Sequence, residues 1–206
     1  MKVIDIREEN FRAVHTSAEE TLFDGRPALR VVKRDKIDLY DENTYVKVKN
    51  LQFHNGIIEV KLLSRLLPDA PDFARGFIGI VYRVNTDDSE FESFYLRPTN
   101  GRACTDVNRR AHGCQYFSYP GYTFGYFREY GITKYEAEAD IDLDEWITVK
   151  AVIENERAEF YLNQDGKPVL VVEDMKHGTG QKGSLGIFVD VGTEAFVSEL
   201  KVDCTD

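Results

Sequence analysis

Apolar and polar residues alternate with a period of two along most of this chain, which is the pattern of half-buried β-strands. Turn-forming pairs such as Asp24-Gly25 and Asn55-Gly56 separate the alternating runs. The predicted strands span residues 28–32, 45–48, 57–62, 77–84, 92–97, 115–119, 135–139, 146–154, 158–162, 168–173, 184–191 and 195–202. Residues 18–22 and part of 62–67 are predicted to be helical, and Asn163-Gln164-Asp165-Gly166 predicts a hairpin turn.

About a dozen short strands with turns between them predict an all-β sandwich or barrel. No repeat, linker or low-complexity tract interrupts the 206 residues, so we expect one domain, residues 1–206, with its core between about 23 and 202. Thirteen Phe and eleven Tyr supply ample apolar surface for that core. Alternate residues of a strand face the same side of the sheet, and this position in the alternation is called parity below. Five residues share their parity with other apolar residues and are predicted to lie in the core: Ile80, Phe94, Leu96, Trp146 and Phe188.

The net charge of −10 argues against nucleic acid as a partner, because phosphate binding requires a basic face. No run approaches the ~20 apolar residues that span a bilayer, and the first residues lack the apolar stretch of a secretion signal. We therefore expect a cytoplasmic protein with no membrane partner. The three cysteines do not make a disulfide framework, although an oxidising compartment could join Cys104 to Cys114. Their spacing with His112 matches no common zinc pattern, so no metal is predicted there.

The most distinctive stretch is residues 92–128, which is rich in arginine and aromatic residues although the whole chain is acidic. A strand-like run ends before Pro98, a polar loop follows, and a second strand-like run begins at Gln115. The arginines are Arg97, Arg102, Arg109, Arg110 and Arg128, and the rings include Tyr95, Tyr116, Phe117, Tyr119 and Tyr122. Guanidinium forks and amphipathic rings suit polar, multi-hydroxyl or anionic ligands. The alternative is an ordinary sandwich loop with solvated arginines and core aromatics.

Several segments resemble the concanavalin A-like lectin/glucanase superfamily of jelly-roll sandwiches. They are FDGRPALRV, FHNGIIEVKL and RGFIGIVYRV, followed by WITVKAVIENERAEFYLNQDGKPVLVVEDM and GSLGIFVDVGTEAFVSELKV, which look like the end of laminin-G-like domains. The middle runs YLRPTNGR and QYFSYP are similar to bacterial 3-keto-disaccharide hydrolase-like domains, which are grouped with presumptive glycoside hydrolases. The resemblance implies a two-sheet antiparallel jelly-roll sandwich whose concave sheet forms a groove that holds carbohydrate.

The chain departs from the glucanase enzymes in its acidic residues. Those enzymes carry Glu-x-Asp-x-x-Glu on one strand, and this sequence lacks that triplet. Glu90 and Glu92 are two apart on a strand, so their side chains share a face about 7 Å apart, a spacing that permits glycoside hydrolysis without indicating it. Glu92 shares parity with Phe94 and Leu96, which favours a polar strand start over a catalytic pair. The catalytic residues are therefore unknown, with Glu92 and His112 as the candidates.

On this strand the side chains that face away from Glu92, Phe94 and Leu96 are predicted to form the floor of the groove, and the polar loop is predicted to lie at its end. We expect one saccharide-sized ligand there, and the excess of arginine favours an acidic or oxidised sugar over a neutral one. The residues predicted to surround this ligand are Arg83, Tyr95, Arg97, Asn100, Arg102, Asn108, Gln115 and Tyr119.

Three functions stay open at this point. They are a carbohydrate-binding sandwich, a glycoside hydrolase or lyase acting on saccharides, and a protein-interaction module that docks on the same sheet. The chain has no dinucleotide fingerprint and no phosphate-cradling glycine loop, so no nucleotide cofactor is expected. Calcium is left open, because the acidic run 140–145 and the pair Asp190 and Asp203 offer the oxygen ligands that calcium takes.

Overall fold

The computed structural model describes residues 1–163 and 165–205, which form two antiparallel sheets packed face to face. Sheet A contains β1 (Lys2–Val3), β3 (Thr16–Phe23), β4 (Arg26–Lys33), β6 (Asn55–Leu66), β11 (Ile147–Glu154), β12 (Arg157–Leu162), β13 (Leu170–Val172) and β15 (Thr193–Thr205). Sheet B contains β2 (Phe11–Val14), β5 (Tyr45–Val48), β7 (Ile78–Val84), β8 (Phe91–Leu96), β9 (Cys114–Tyr119), β10 (Glu136–Ala137) and β14 (Ser184–Val189). The predicted all-β, two-sheet antiparallel sandwich is confirmed.

The order of the strands shows that distant parts of the chain meet in each sheet. Sheet A runs β13-β12-β11-β6-β15-β4-β3, with β1 paired to β15, and sheet B runs β10-β9-β8-β7-β14-β5-β2. The long strand β6 pairs with both β11 and β15, so it holds the centre of sheet A. In sheet B the antiparallel neighbours β7, β8 and β9 are consecutive in sequence, so the loop after β8 and the loop after β9 leave from opposite ends of the strands.

Two short helices lie in these loops, and the sequence pattern predicts neither. The helix α1 (Val107–Arg110) follows β8, and the Asp106 carboxylate caps it by accepting from the Asn108 backbone N–H at 2.9 Å. The helix α2 (Phe124–Glu129) follows β9. The helix predicted at 18–22 is wrong, because those residues pair along β4 as part of β3. Residues 62–66 likewise belong to β6. In both places the hydrogen bonds of the sheet override a local pattern. The hairpin turn predicted at 163–166 includes Gln164, which lies outside the described residues.

The hydrophobic core lies between the sheets. Phe94 on β8 stacks on Phe160 of β12 with ring centroids 4.1 Å apart, and both side chains are fully buried. Of the five predicted core residues, Ile80, Phe94 and Leu96 are completely buried there, and Phe188 is completely buried on the other face of sheet B. Ile4 and Phe11 are also buried, so the core starts nearer the N-terminus than the predicted residue 23.

Trp146 is the predicted core residue that is not fully buried. It is half-buried and packs with Phe23, whose ring centroid is 6.1 Å away. The small cluster around it contains Leu63 and Phe196, which face away from sheet B because their neighbours along β6 and β15 fill the main core. Trp146 therefore covers the outer face of sheet A, where it stands just before the first residue of β11.

Sheet B is buried on both faces. Its outer face carries a layer of rings in which Phe117 contacts Tyr95, Phe91 and Phe188 at centroid distances of 5.3 to 5.7 Å. Segment 34–44 and α2 close over one end of this face, where the Phe124 backbone N–H donates to Asp41 at 2.6 Å. The outer face is thus a second packed layer and not the open groove that the resemblance implies. The binding space that remains is a cavity at the end of the sheet.

Cys104 and Cys114 are free thiols and are not joined to one another. The described part of the chain has no helix long and apolar enough to cross a bilayer. Among residues 1–163 and 165–205, no three His, Cys, Asp or Glu side chains are grouped as ligands for a metal ion. In the acidic run, Asp140, Asp142 and Glu145 each pair with Arg102. Calcium binding by that run therefore stays a prediction that competes with these ion pairs.

Candidate functional site

A cavity of about 410 Å³ lies at the end of sheet B, between the loop after β8, α2 and segment 34–44. Four guanidinium groups, an imidazole, two carboxyl groups and five aromatic rings share its wall. The lining residues are Tyr40, Asp41, Phe73, Arg75, Phe77, Tyr95, Arg97, Asn100, Arg109, His112, Phe124, Arg128 and Asp190. Its size suits one or two sugar rings or another small ligand.

Six separate parts of the chain supply these side chains. Segment 34–44 supplies Tyr40 and Asp41, and the residues just before β7 supply Phe73, Arg75 and Phe77. Strand β8 ends at the site, and the 3-10 turn Pro98–Asn100 follows it. The helix α1 contributes Arg109, α2 contributes Phe124 and Arg128, and the turn between β14 and β15 contributes Asp190. The site thus depends on the closed tertiary fold and not on one stretch of sequence.

Arg97 is held at the base of the site by protein groups on every side. Its Nη1 donates to Glu136 Oε1 at 2.8 Å and to the His112 carbonyl at 3.2 Å. Its Nη2 donates to the Tyr95 hydroxyl at 2.8 Å and to the Gln115 side-chain oxygen. The residue is 5% exposed, and its guanidinium lies 5.3 Å from the centroid of the Phe124 ring. Arg97 therefore organises the wall and has little freedom to bind a ligand with a two-point contact.

Glu136 gathers three potentially cationic side chains on one carboxylate. Its Oε1 lies 3.4 Å from Arg128 Nη2 as well as 2.8 Å from Arg97. Its Oε2 lies 2.9 Å from His112 Nδ1, without the alignment of a hydrogen bond. The Glu136 side chain is 4% exposed, and its strand β10 pairs with β9 so that Glu136 stands opposite Gln115. A single buried carboxylate thus offsets part of the positive charge of Arg97 and Arg128.

Arg75 and Arg109 differ from these two because no carboxylate in the described residues lies within ion-pair distance of them. Arg109 donates to the Asn100 side-chain oxygen at 3.1 Å and, more weakly, to Thr99. Arg75 donates from Nη1 to the backbone carbonyls of Asp72 and Ala74, both at 2.7 Å. In the described part of the chain its Nε–Nη2 edge has no protein acceptor, and this is the edge that makes two-point contacts with carboxylates.

The guanidinium groups of Arg75, Arg97 and Arg109 are close enough for their charges to lower the pKa of Arg75. Burial lowers the pKa of Arg75, and the neighbouring charges of Arg109 and Arg97 lower it further. Like charges brought together in a partly buried cavity raise the local positive potential. The region is therefore electropositive although the whole protein carries a net charge of −10.

Two carboxyl groups occupy the wall formed by segment 34–44. Asp190 is paired with Lys33, whose Nζ lies 2.6 Å from Asp190 Oδ1, and both side chains are at most 3% exposed. The Asp41 backbone N–H donates to Asp190 Oδ2 at 2.8 Å, and the Asp41 carboxyl accepts from the Phe124 backbone N–H. Burial, followed by the negative charge of Asp190, raises the pKa of Asp41 to about 7.

The structure brings together three of the predicted ligand-binding residues and one predicted catalytic candidate. Tyr95, Arg97 and Asn100 line the cavity, and His112 joins them. Gln115 lies behind the wall, fully buried, with its side-chain oxygen bound to Arg97 and Tyr95.

The remaining predicted ligand-binding residues lie outside the cavity. Tyr119 stacks on Phe91 and donates to Glu42 at 3.3 Å. Asn108 is exposed on α1, and Arg102 is exposed and pairs with the acidic run 140–145.

Arg83 is the clearest error among the predicted site residues. It is fully buried and donates to the carbonyls of His54, Asn155 and Gly178 and to the side chain of Asn55. The alternation of faces along the strand fails at Arg83 because β7 contains a bulge. Val81 pairs with Gly186 and Val84 pairs with Ser184, so β7 has one residue more than β14 between these two pairs. Arg83 has a left-handed φ of 53° at this bulge, so its side chain leaves the predicted face and ties loops together at the far end of β7.

Glu92 is a buried structural residue. It is completely buried on the core face of β8, as its parity with Phe94 and Leu96 predicts. Its carboxyl accepts from the Tyr116 hydroxyl at 2.6 Å, from Ser118, and from the His177 backbone N–H at 3.1 Å. Burial raises the pKa of Glu92, opposed by these donors. A carboxyl enclosed between the sheets cannot reach a ligand in the cavity, so Glu92 is removed from the catalytic candidates.

Sequence reasoning missed Asp41, Arg75 and Asp190 as members of one site. Each comes from a different loop, and no spacing connects positions 41, 75 and 190. A signal that pointed to Arg75 was its place beside the predicted strand 77–84, at the same end as the loop after β8. A larger surface cleft of about 600 Å³ includes Arg102 and Arg110, but both are paired with carboxylates, of Asp140 and Glu138 among others.

Solved structures with the same fold support the jelly-roll assignment. A carbohydrate-binding module, CBM66 from Bacillus subtilis, superposes with a TM-score of 0.64 and 13% identity, covering 94% of this chain and 95% of the other. A presumptive glycosyl hydrolase from Parabacteroides distasonis gives a TM-score of 0.55 and 13% identity, covering 98% and 91%.

A protein of unknown function with a galectin-like fold, also from Bacillus subtilis, gives a TM-score of 0.55 and 12% identity, covering 94% of this chain and 89% of that one. These are sandwiches of the concanavalin A-like type, so the predicted fold class is confirmed. No protein-family model matches the sequence, and no curated protein matches it either. At such low identity the likeness defines the fold, and the function must be argued from the cavity.

Proposed function

We propose that this protein binds an acidic saccharide in the cavity at the end of sheet B. The observation that carries the proposal is the pair Arg75 and Arg109, which lie beside one another without a carboxylate partner in the described residues. Two further guanidinium groups, those of Arg97 and Arg128, share the single carboxylate of Glu136. An anion is the ligand that such an excess of positive charge around one cavity favours.

The aromatic wall supports a sugar over a bare anion. Tyr95, Phe77 and Phe124 form part of the cavity lining, and Tyr40 and Phe73 are about half exposed at 53% and 48%. Rings of this kind stack on the apolar faces of sugar rings, whereas a small inorganic anion gains nothing from them. Asn100 and Asp41 add acceptors for hydroxyl groups. The neighbours of the same fold include a carbohydrate-binding module, which agrees with this choice of ligand class.

The arginines are proposed to have different roles, because they have different hydrogen-bond partners. Arg75 and Arg109 would bind the carboxylate of the sugar, because they have donors to spare. Arg97 would position the wall, because both of its terminal nitrogens are already engaged by protein groups. This revises the sequence-based hypothesis that counted Arg97 among the residues surrounding the ligand.

A binding screen tests the proposal. We expect acidic oligosaccharides to be retained on a glycan array and neutral ones to bind weakly or not at all. Arrays with and without calcium would show whether the ion contributes. The matched control is Arg110→Gln, because Arg110 adjoins Arg109 on α1 but pairs with Glu138 outside the cavity. Loss of binding in Arg109→Gln with retention in Arg110→Gln supports the proposal, and equal retention in both contradicts it.

The enzymatic alternative, a glycoside hydrolase or lyase, is favoured by one observation. Asp41 is a buried carboxyl on the cavity wall with a pKa of about 7, which suits a group that transfers protons near neutral pH. Chromatographic analysis of the bound oligosaccharides after long incubation separates the two functions. New reducing ends or unsaturated products that disappear in Asp41→Asn would make the protein an enzyme.

A further inference from the structure

We propose that Asp41 takes up a proton when an acidic sugar enters the cavity and then donates its O–H to that ligand. Asp41 would thereby make the affinity for acidic sugars depend on pH, whereas the affinity for neutral sugars would not. The inference rests on the proposed function, because it concerns the same cavity and the same class of ligand. It adds a residue that the binding proposal does not need, since Arg75 and Arg109 alone would attract an anion.

The position of Asp41 carries the inference. It is 3% exposed, and it lines the cavity together with Arg97 and Tyr95. The Phe124 backbone N–H fixes Asp41 Oδ2 at 2.6 Å, and the backbone of Asp41 itself is fixed through the bond from its N–H to Asp190. The carboxyl therefore cannot swing away from a ligand that fills the cavity. An anionic sugar and an ionised Asp41 would repel one another at short range.

The neighbouring carboxyl is not the group that gains the proton. In the described part of the chain the partners of the Asp190 oxygens are all donors: Lys33 Nζ and the backbone N–H groups of Asp41 and Val191. A carboxyl surrounded only by donors acts as an acceptor on both oxygens, which is the ionised form. Asp190 thus stays negative beside Lys33 and disfavours a second charge on Asp41.

Each element packed against Asp41 contributes charged or titratable groups. Lys33 and Asp190 lie behind it, and Arg97 and Tyr95 face it from the end of β8. Arg128 of α2 and His112 complete the wall across the cavity. On its own segment, Glu42 is already paired with Lys36 at 2.7 Å. Burial and the charge of Asp190 together raise the pKa of Asp41 to about 7, so this carboxyl can exchange its proton near neutral pH.

The sign of the effect follows from linkage. A ligand carboxylate adds negative charge beside Asp41 and raises its pKa further, so binding draws a proton from solution. Affinity for an acidic sugar then falls as pH rises through 7, by up to about tenfold per pH unit. A neutral sugar adds no charge, so its affinity should change little over the same range.

Isothermal titration calorimetry tests the proposal. Digalacturonate is titrated into the full chain between pH 5.5 and 8.5, in two buffers of different ionisation enthalpy. We expect an uptake of a fraction of a proton per ligand near pH 7, rising towards one proton as the pH is raised, because the raised pKa of Asp41 lies in this range. Asp41→Asn should abolish the uptake and bind digalacturonate with an affinity that no longer falls above pH 7. Asp38→Asn is the matched control, because Asp38 is exposed in the same segment.

His112 offers the competing explanation, since protonation of an imidazole would give the same sign. His112→Gln should therefore keep the proton uptake. Uptake that persists in Asp41→Asn, or vanishes in His112→Gln alone, overturns the proposal. If Asp41→Asn does not fold, ¹³C NMR of aspartate carboxyl groups in the unaltered protein decides. The proposal requires a carboxyl that titrates near pH 7 and shifts upward with ligand.

Different results would refute the role of Asp41 and the acidic-sugar site. Digalacturonate that binds at every pH without proton uptake leaves the acidic-sugar site standing and refutes the role of Asp41. An absence of binding to any acidic oligosaccharide across the range refutes the acidic-sugar site and the role of Asp41 together.

Discussion

Arg97 lies 2.8 Å from Glu136 Oε1, and the two side chains are only 6% and 4% exposed. A pair of opposite charges so deeply buried at the edge of a ligand cavity is part of the architecture of the wall. Tyr95, Gln115 and the His112 carbonyl accept from the remaining N–H groups of the two terminal nitrogens of Arg97. The arginine that stands out most in the sequence is therefore the one least able to bind a ligand directly.

Arg97→Ala should destabilise the protein by about 3 to 5 kcal/mol, because it leaves the buried Glu136 charge without its closest partner. Urea unfolding monitored by circular dichroism measures this loss. Arg110→Ala provides the control, since its exposed pair with Glu138 should contribute at most about 1 kcal/mol. A melting temperature that Arg97→Ala leaves unchanged would restore the hypothesis that Arg97 is a ligand residue.

Phe94→Ala tests the packing between the sheets. Phe94 is fully buried and stacks on Phe160 at 4.1 Å, so its removal should cost about 3 to 5 kcal/mol through lost burial and a new cavity. Leu22→Ala is the comparison, because Leu22 on β3 is 74% exposed and should change the unfolding free energy little. A loss below about 1 kcal/mol for Phe94→Ala would mean that the two sheets do not meet at this ring.

The pKa of Asp41 makes a prediction about stability without any ligand. Its pKa is raised from 3.8 in an unfolded chain to about 7, so the folded state holds this proton more tightly. The contribution of Asp41 to the free energy of unfolding is therefore largest below pH 4. It decreases as the pH rises towards 7 and stays constant at higher pH. Relative to Asp41→Asn, the wild-type protein should lose about 4 kcal/mol at most between pH 4 and 8, as linkage gives about 1.4 kcal/mol per pKa unit.

Unfolding free energies of the two proteins, measured at each pH, check this prediction. The difference between them isolates Asp41 from Glu92 and Asp190, whose buried carboxyl groups are present in both. Parallel pH profiles for the two proteins would show that Asp41 titrates as an exposed carboxyl does.

The strands and their faces were predictable because alternation reports burial directly. Residues 45–48 and 158–162 were placed within a residue of β5 and β12, and the parity of Glu92 with Phe94 was right. Alternation has no means of registering a bulge, so it misplaced Arg83. It also gives no warning that a sheet is buried on both faces, which is why the expected groove became a cavity.

The sequence predicted only those residues of the site that lie in one continuous segment. Tyr95, Arg97, Asn100 and His112 lie within a short stretch that is rich in arginine, and that composition pointed to them. Asp41 and Arg75 are ordinary residues in their own loops, and they acquire their roles through contacts across the fold. Long-range assembly of this kind leaves no local pattern, so a single sequence cannot predict it.

The central claim is that Arg75 and Arg109 bind the carboxylate of a sugar. The most direct measurement compares the affinities of the wild-type protein and Arg109→Gln for digalacturonate and for the matching neutral galactobiose, by calorimetry at pH 6. The wild-type protein should prefer the acidic disaccharide, and Arg109→Gln should lose about 10- to 100-fold for that ligand alone, as expected for a hydrogen bond between charged groups. Equal affinities of the wild-type protein for the two disaccharides, or an equal loss for both in Arg109→Gln, would contradict the account.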